Sequence, residues 1–189
     1  VTCTLAPAWA RAENEGQQSL DRAIEKKLVA STVNDLRDVI DLCQKALDEG
    51  LDEENTSFAK RLLASALIQR ASVVSAEVLK PWPEDPQGLR RVTGLRQFAL
   101  GDLGRAIEHD PDQPGAHFLI ARLNLLEGGD RQRAKEAIGR AIELAADDPP
   151  MQAQSLAIRG QLRDDPQESL EDFNAAVELA PGDADVLHA

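Results

Sequence analysis

The second half of the chain repeats itself at a fixed interval, and this repetition restricts the possible folds more than any other feature. Four positions at offsets 0, +4, +7 and +12 carry a small residue, a large apolar residue, a small residue and a proline. They occur as Ala99, Leu103, Ala106, Pro111 and as Ser169, Phe173, Ala176, Pro181; Ala134, Ile138, Ala141 repeat the first three midway. A unit of roughly 35 residues forms one helix hairpin, which cannot bury its apolar face alone and therefore stacks on its neighbours.

The composition favours helices throughout the chain. Aromatic residues make up 3% of the sequence and tyrosine is absent. Small and straight-chain apolar residues suit closely packed helices, whereas strands would need alternating β-branched and aromatic residues, and no convincing run of that kind occurs. The sequence therefore predicts an all-α stack of antiparallel helix hairpins.

The charge argues against a nucleic-acid partner. The formal net charge is −12, and acidic residues exceed basic ones in both halves of the chain. A basic stripe that could displace counterions from a phosphate backbone is missing. Four basic residues do cluster in one predicted second helix, at Arg131, Arg133, Lys135 and Arg140, where we expect a solvated convex face.

Candidate chemistry is sparse. The three histidines, at positions 109, 117 and 188, form no recognisable Ser–His–Asp or Cys–His arrangement. Cys3 and Cys43 lack Cys-x-x-Cys spacing and neighbouring histidines, and Cys43 fits a buried apolar position. We therefore expect no catalytic, cofactor-binding or metal-binding residues and a non-enzymatic role.

The start of the chain has the pattern of a processed export signal. Ala8-Trp9-Ala10 and Ala10-Arg11-Ala12 both have the small-x-small form that precedes a signal-peptidase cleavage site. Residues 1–12 are accordingly predicted to be the remnant of a signal peptide, which would place the protein in the periplasm or outside the cell. A leader rich in alanine on a cytoplasmic protein is the alternative. No stretch of 18 or more apolar residues predicts a membrane span.

Helical periodicity and turn residues divide the rest into hairpins. The predicted units are a degenerate hairpin at 13–50, an irregular helix pair at 51–112 with a proline-rich insertion at 80–88, two regular hairpins at 113–149 and 150–183, and the start of a further helix at 184–189. Asn55 or Thr56 is expected to cap the third helix, and Asp130 and either Asp164 or Asp165 are expected to cap the second helices of the two regular hairpins. Trp82 in the insertion either packs the loop down or contacts a partner. Gly94, Gly101 and Gly104 are expected to permit close helix approach.

The two regular hairpins resemble the tetratricopeptide repeat (TPR) family, whose unit of about 34 residues is a pair of antiparallel helices. The residues that carry the resemblance are Ala153, Leu156, Ala157, Gly160, Ser169, Phe173, Ala176 and Pro181 in the last unit, and His117, Ile120, Ala121, Asn124, Ala134, Ile138 and Ala141 in the unit before it. Asn124 and Gly160 replace the usual aromatic residues of the first helix. We expect thinner packing there and room for a neighbouring side chain.

This resemblance implies a right-handed superhelical stack, similar to bacterial TPR arrays, that binds a peptide or partner helix in a concave groove. Carried over by position, the groove residues are Phe118, Leu119, Arg122, Leu125, Met151, Gln154, Ser155 and Ile158. The Lys/Asn/Arg carboxylate clamp of some family members is absent here. Apolar side chains with one arginine would suit a peptide carrying a hydrophobic anchor and an acid, although Phe118 and Ile158 fit core positions equally well.

The functional prediction is thus a non-catalytic scaffold for a protein or peptide partner. Two alternatives remain open at this point. The segment could be the accessory repeat region of a larger enzyme or sensor whose catalytic domain lies outside these residues, or a spacer without a ligand.

Overall fold

The structure is a computed structural model that describes residues 8–183 and 186, with side chains from residue 15 onward. The described residues form eight α-helices and no strand: α1 (Ala8–Val29), α2 (Val33–Glu49), α3 (Glu53–Val78), α4 (Pro86–His109), α5 (Pro114–Leu125), α6 (Arg131–Leu144), α7 (Pro149–Leu162) and α8 (Pro166–Leu179). The predicted all-α fold is confirmed.

The helices are arranged as four stacked hairpins in two layers. Each odd-numbered helix packs against the next even-numbered one, and each even-numbered helix packs against the odd-numbered helix that follows it. Odd-numbered helices also contact one another along the stack, whereas the described even-numbered helices do not. Because only the odd-numbered helices approach each other, they form the inner, concave layer of the stack. The expected stack of helix hairpins is therefore observed.

Short polar side chains start most of the helices. Asp130 and Asp165 accept hydrogen bonds from the first-turn backbone of α6 and α8, as predicted. Thr32 forms a capping box with Asp35 at the start of α2. The prediction for α3 was wrong. Its cap is Asp52, whose carboxylate accepts from the Asn55 amide at 2.8 Å, so the helix begins one turn earlier than expected.

The two positions that lack the usual aromatic residue are filled in different ways. A Cβ atom at Gly160 would lie 2.9 Å from the Phe173 ring, so the ring of α8 occupies the space that the glycine leaves. Asn124 is buried and polar: its Nδ2 donates to the Ile120 carbonyl at 2.8 Å, and its Oδ1 accepts from the Asp130 amide at 3.3 Å. The expected room for a neighbouring side chain is found at Gly160, while Asn124 tethers the α5–α6 turn.

The glycines of α4 do not serve close helix packing, contrary to the sequence-based expectation. A Cβ atom at Gly94, Gly101 or Gly104 would meet nothing within 4 Å, so these residues face open space. Close approach occurs instead at Gly129, where a Cβ atom would overlap the Asn124 carbonyl oxygen. The α4 glycines therefore lower the stability of their helix, and no closer packing against a neighbouring helix offsets this cost.

The proline-rich insertion is packed against the stack. Trp82 is half-buried against the central core, and its Nε1 donates to the Val78 carbonyl at 2.9 Å. Of its two interpretations, the structure supports loop anchoring. Cys43 is buried between α1, α2 and α3 as expected, and this burial raises the pKa of its thiol to about 12.

The two ends of the sequence are described only in part. The predicted signal-peptide remnant lies outside the described residues at 1–7, and the backbone of 8–12 belongs to α1. Of the predicted helix start at 184–189, only Val186 is described; it is helical and buried. Among the described helices, none combines the length and apolar character needed to cross a bilayer.

Candidate functional site

The predicted groove residues belong to α5 and α7, which are neighbours in the concave layer. We call this surface the α5–α7 face: Phe118, Leu119, Arg122, Leu125, Met151, Gln154, Ser155 and Ile158. The proline at the first position of each helix has its φ already suited to helix, so both helices start at a defined point. The structure thus brings the eight residues onto two adjacent helices but exposes them unequally.

Arg122 is the charged residue of this face. It is half-buried, and its guanidinium carbon lies 5.6 Å from the centroid of the Phe118 ring, in cation–π distance. Phe118 itself is buried in the central core and supports the arginine from below. Within the described part of the chain, Arg122 makes no ion pair with a carboxylate. The arginine is thus positioned by an aromatic ring while its charge stays available.

Four apolar residues of the α5–α7 face are only partly covered. Leu119, Leu125, Met151 and Ile158 are half-buried and pack against the central core. Their inner surfaces fix the spacing of α5 and α7, and their outer surfaces remain accessible. A ligand that buries these partly exposed side chains would gain about 25 cal/mol of binding free energy per Å² of apolar area removed from water.

The side chains of the remaining two predicted residues are less available to a ligand. The Nε2 of Gln154 donates to the Asp183 carboxylate at 2.8 Å and so links α7 to the segment after α8. Ser155 is completely buried, and its hydroxyl has no hydrogen-bond partner among the described residues. The part of the α5–α7 face that is most available to a ligand therefore consists of Arg122 and the four partly covered apolar residues.

Two buried aspartates that pair with arginines were not foreseen from the sequence. Asp102 of α4 accepts two hydrogen bonds from the Arg70 guanidinium of α3, both at 2.7 Å. Asp172 of α8 accepts from Arg159 at 2.9 Å and from Arg163 at 3.0 Å. Asp102 and Asp172 are 70 residues apart and hold the same position of the repeat. That recurrence, three residues after Ala99 and Ser169, is the signal that could have revealed them.

The arginine pair also determines the protonation of Asp172. Burial acts to raise the pKa of this carboxyl, but the hydrogen bonds and charges of Arg159 and Arg163 outweigh burial and leave its pKa below the ordinary value. Asp172 therefore remains ionised in the folded protein at neutral pH and ties α8 to α7.

A second recurring contact, a hydrogen bond from an arginine to a backbone carbonyl, joins successive hairpins. Arg96 of α4 donates to the Glu127 carbonyl at the end of α5, and Arg131 of α6 donates to the Leu162 carbonyl at the end of α7, both at 3.0 Å. Donors and acceptors both recur at an interval of 35 residues. Each arginine satisfies a carbonyl at, or just beyond, the end of an inner helix. These contacts hold the inner helices in register and with them the α5–α7 face.

The charged groups of the cleft beside the α7–α8 turn are paired within the protein. A cavity of about 380 Å³ opens between α6 and the α7–α8 turn. Its charged groups are already engaged: Lys135 with Asp164 at 2.7 Å, and Arg163 with Asp172. Across the residues that the structure describes, no cluster of three or more His, Cys, Asp or Glu side chains is arranged to hold a metal ion.

The basic residues of α6 lie on the outer layer. Arg131 and Lys135 contact Asp164, and Arg140 contacts Asp112 at 2.8 Å and Glu143 at 3.1 Å. These pairs are solvent-exposed and link α6 to neighbouring turns. They correspond to the solvated convex face that the sequence predicts.

Comparisons with known proteins give structural likeness only. No family model matches the chain, and no curated protein matches it. Among solved structures, the chain is similar to TTC0263, a thermophilic TPR protein of Thermus thermophilus, with 18% identity, 92% of this chain and 95% of that chain covered, and a TM-score of 0.45. It is also similar to YrrB, described as a TPR protein with an unusual peptide-binding site, with 18% identity, 97% and 98% coverage, and a TM-score of 0.44.

Proposed function

We propose that this protein is a non-catalytic scaffold that binds a peptide or partner helix on the α5–α7 face. The observation that carries the proposal is Arg122, a half-buried guanidinium that rests on the Phe118 ring and has no carboxylate partner among the described residues. A charge held in this way on an aromatic ring is well placed to recognise an acidic group of a ligand.

The apolar residues of the same face indicate the kind of ligand. Leu119 and Leu125 of α5 and Met151 and Ile158 of α7 offer partly covered apolar area on the two helices of this face. A ligand with one apolar anchor and one carboxylate nearby would bury that area and pair the charge in the same event. We therefore propose a protein partner that presents an acidic and hydrophobic segment, with Ser155 and Phe118 as supports beneath the surface.

The scaffold itself supplies rigidity. The odd-numbered helices contact one another along the inner layer, and Arg96 of α4 and Arg131 of α6 each bind a carbonyl at the turn of the following hairpin. A face that is preformed loses less conformational entropy on binding than a loop would. This favours recognition of an extended or helical segment across several units.

The test compares two charge reversals of the same type. Arg122→Glu changes the α5–α7 face, whereas Arg133→Glu changes an exposed arginine of α6 on the outer layer. Both variants would first be checked for wild-type helicity and unfolding midpoint. Immobilised full-length chains would then be exposed to extract from the source cells, and the captured proteins quantified.

We expect Arg122→Glu to lose at least about tenfold of the signal of any specific partner, since a charge-assisted contact is replaced by repulsion. Arg133→Glu should retain the partner. Equal capture by both folded variants and the wild type would contradict binding at this face. Phe118 is not a suitable test position, because truncating a buried core residue would itself destabilise the stack.

A further inference from the structure

We infer that α7 swings away from α5, and that Ser155 is a concealed ligand contact of the α5–α7 face. In the structure the Ser155 side chain is completely buried. When α5 and α7 separate, its hydroxyl becomes accessible to a bound segment. The opening does not depend on the function proposed above, whereas the ligand contact rests on that function.

Ser155 lies on the side of α7 that faces the preceding hairpin. It belongs to a row with Met151, Ile158 and Leu162, whose spacing of three or four residues places all of them on one side of the helix. The three apolar members of the row pack in or against the central core, to which α5 and α6 contribute. Ser155 is therefore the polar residue in an apolar contact between two hairpins.

The hydroxyl of Ser155 has no hydrogen-bond partner among the described residues. Two other helical hydroxyls of the chain do have partners: Ser57 donates to the Glu53 carbonyl at 3.0 Å, and Thr93 donates to the Leu89 carbonyl at 2.8 Å. A buried hydroxyl without a partner lowers the stability of the closed junction, because its hydrogen bonds with water have been lost. Opening of the junction removes this cost.

The attachments of α7 to α6 form a hinge. At the start of α7, the short connection 145–148 joins the two helices directly. At its end, Arg131 of α6 donates to the Leu162 carbonyl at 3.0 Å, and Lys135 of α6 pairs with Asp164 at 2.7 Å. Since α6 belongs to the outer layer, this hinge runs along the outer side of the junction, opposite α5.

The structure leaves room for α7 to turn about this hinge. A cavity of about 380 Å³ lies between α6 and the α7–α8 turn, so the outer surfaces can approach each other while α5 and α7 separate. Buried apolar residues that join α7 to α8, among them Ala157 and Ala176, form a cluster separate from the central core. The two helices therefore turn as a unit, and the inner side of the junction is the side that opens.

One bound segment can stabilise the open junction in two ways. Its apolar anchor would cover the apolar surface that α7 exposes on moving. A backbone amide or carbonyl of the same segment would pair with the Ser155 hydroxyl. Such a segment binds the open form more tightly than the closed form and therefore shifts the population toward it.

Thiol labelling of the full-length chain tests the opening without a ligand. The background is Cys3→Ser, in which buried Cys43 supplies the reference rate. Three single variants are compared in this background: Ser155→Cys, Ser75→Cys and Ala157→Cys. Ser75 of α3 is the matched control, because its hydroxyl is also buried without a partner among the described residues. Ala157 packs toward α8, on the opposite side of α7 from Ser155.

We expect the thiol at position 155 to react with a maleimide at least about tenfold faster than the thiols at 75 and 157 in variants of wild-type helicity. Its rate should not change in low urea, as is typical of a local opening. Equal rates at 155 and 157 would show that the hairpin unfolds as a whole and would overturn the inference. Equal rates at 155 and 75 would overturn it too, because both thiols would then report global unfolding.

Serine-to-alanine variants then test the contact. Ser155→Ala and Ser75→Ala each remove a buried hydroxyl without a partner, so neither should lower the urea midpoint of unfolding. Binding is measured with the partner polypeptide that the wild type captures and Arg122→Glu loses. We expect Ser155→Ala to bind it at least about threefold more weakly, and Ser75→Ala to bind it like the wild type.

The outcomes separate this inference from the proposed function. Equal binding by Ser155→Ala and Ser75→Ala would refute the Ser155 contact and leave binding at the α5–α7 face intact. A wild type that captures no partner at this face would refute the contact together with the proposed function. The labelling rates would still decide whether α7 separates from α5.

Discussion

The Arg70–Asp102 pair permits a quantitative test of how the stack is held together. The two side chains are 8% and 5% exposed, and two hydrogen bonds of 2.7 Å join them across α3 and α4. Asp102→Ala leaves the guanidinium buried without its counter-charge. The Phe98 ring, 5.0 Å from the guanidinium carbon, cannot replace a carboxylate. Removing one partner of a buried pair costs about 3–5 kcal/mol, a large share of the stability of an ordinary domain.

The matched control is an ion pair of similar length at the surface. Lys26 and Asp38 lie 2.6 Å apart, but their side chains are 51% and 54% exposed. Asp38→Ala should cost less than about 1 kcal/mol. The double variant Arg70→Met/Asp102→Leu should recover most of the loss, because an apolar pair of similar volume needs no counter-charge. Urea unfolding followed by circular dichroism measures all three. If Asp102→Ala costs no more than Asp38→Ala, the assigned role of the buried pair is wrong.

Two further predictions concern glycine and aspartate positions elsewhere in the stack. Gly101→Ala should raise the free energy of unfolding by about 0.5–1 kcal/mol, because the new Cβ atom meets nothing within 4 Å. Gly129→Ala should lower the free energy of unfolding, because its Cβ atom would overlap the Asn124 carbonyl oxygen. Urea titrations in which both variants change stability in the same direction would contradict this. Asp172, whose pKa is lowered in the folded state, stabilises the fold above the ordinary Asp pKa of 3.8 and loses this effect as the pH falls through its lowered pKa. The stability difference between wild type and Asp172→Asn should therefore be largest near neutral pH and vanish in acid, and a difference that persists unchanged in acid would refute the assignment.

Periodicity was sufficient to predict the repeating helices but not all of their packing. The recurring small and large residues from Ala99 to Pro181 correctly indicated stacked hairpins, and Asp130 and Asp165 were recognisable caps. The prediction that the α4 glycines permit close helix approach was wrong, because a glycine in a helix looks the same in the sequence whether it faces a neighbouring helix or solvent. Only the placement of α4 in the outer layer of the stack shows that Gly101 faces open space.

The sequence allowed us to predict which helices carry the candidate site, but not which of its side chains are exposed. The resemblance to tetratricopeptide repeats, carried over by position, placed Phe118, Arg122 and Ser155 on the inner helices. Their exposure depends on how far α5 and α7 rotate toward the core, which the repeat pattern does not specify. Phe118 and Ser155 are buried as a result, while Arg122 remains accessible above the Phe118 ring. The Arg70–Asp102 pair was missed because its partners belong to different helices with no fixed sequence spacing.

The most direct test of the proposed function is site-specific photo-crosslinking in the source cells. A benzophenone side chain would replace Leu119 on the α5–α7 face in one full-length variant and Glu136 on the outer surface of α6 in another. The account predicts a covalent adduct with a partner polypeptide at position 119 that disappears when Arg122→Glu is added, and no such adduct at position 136. Adducts that form equally at both positions, or that persist at position 119 after the charge reversal, would contradict binding on the concave face.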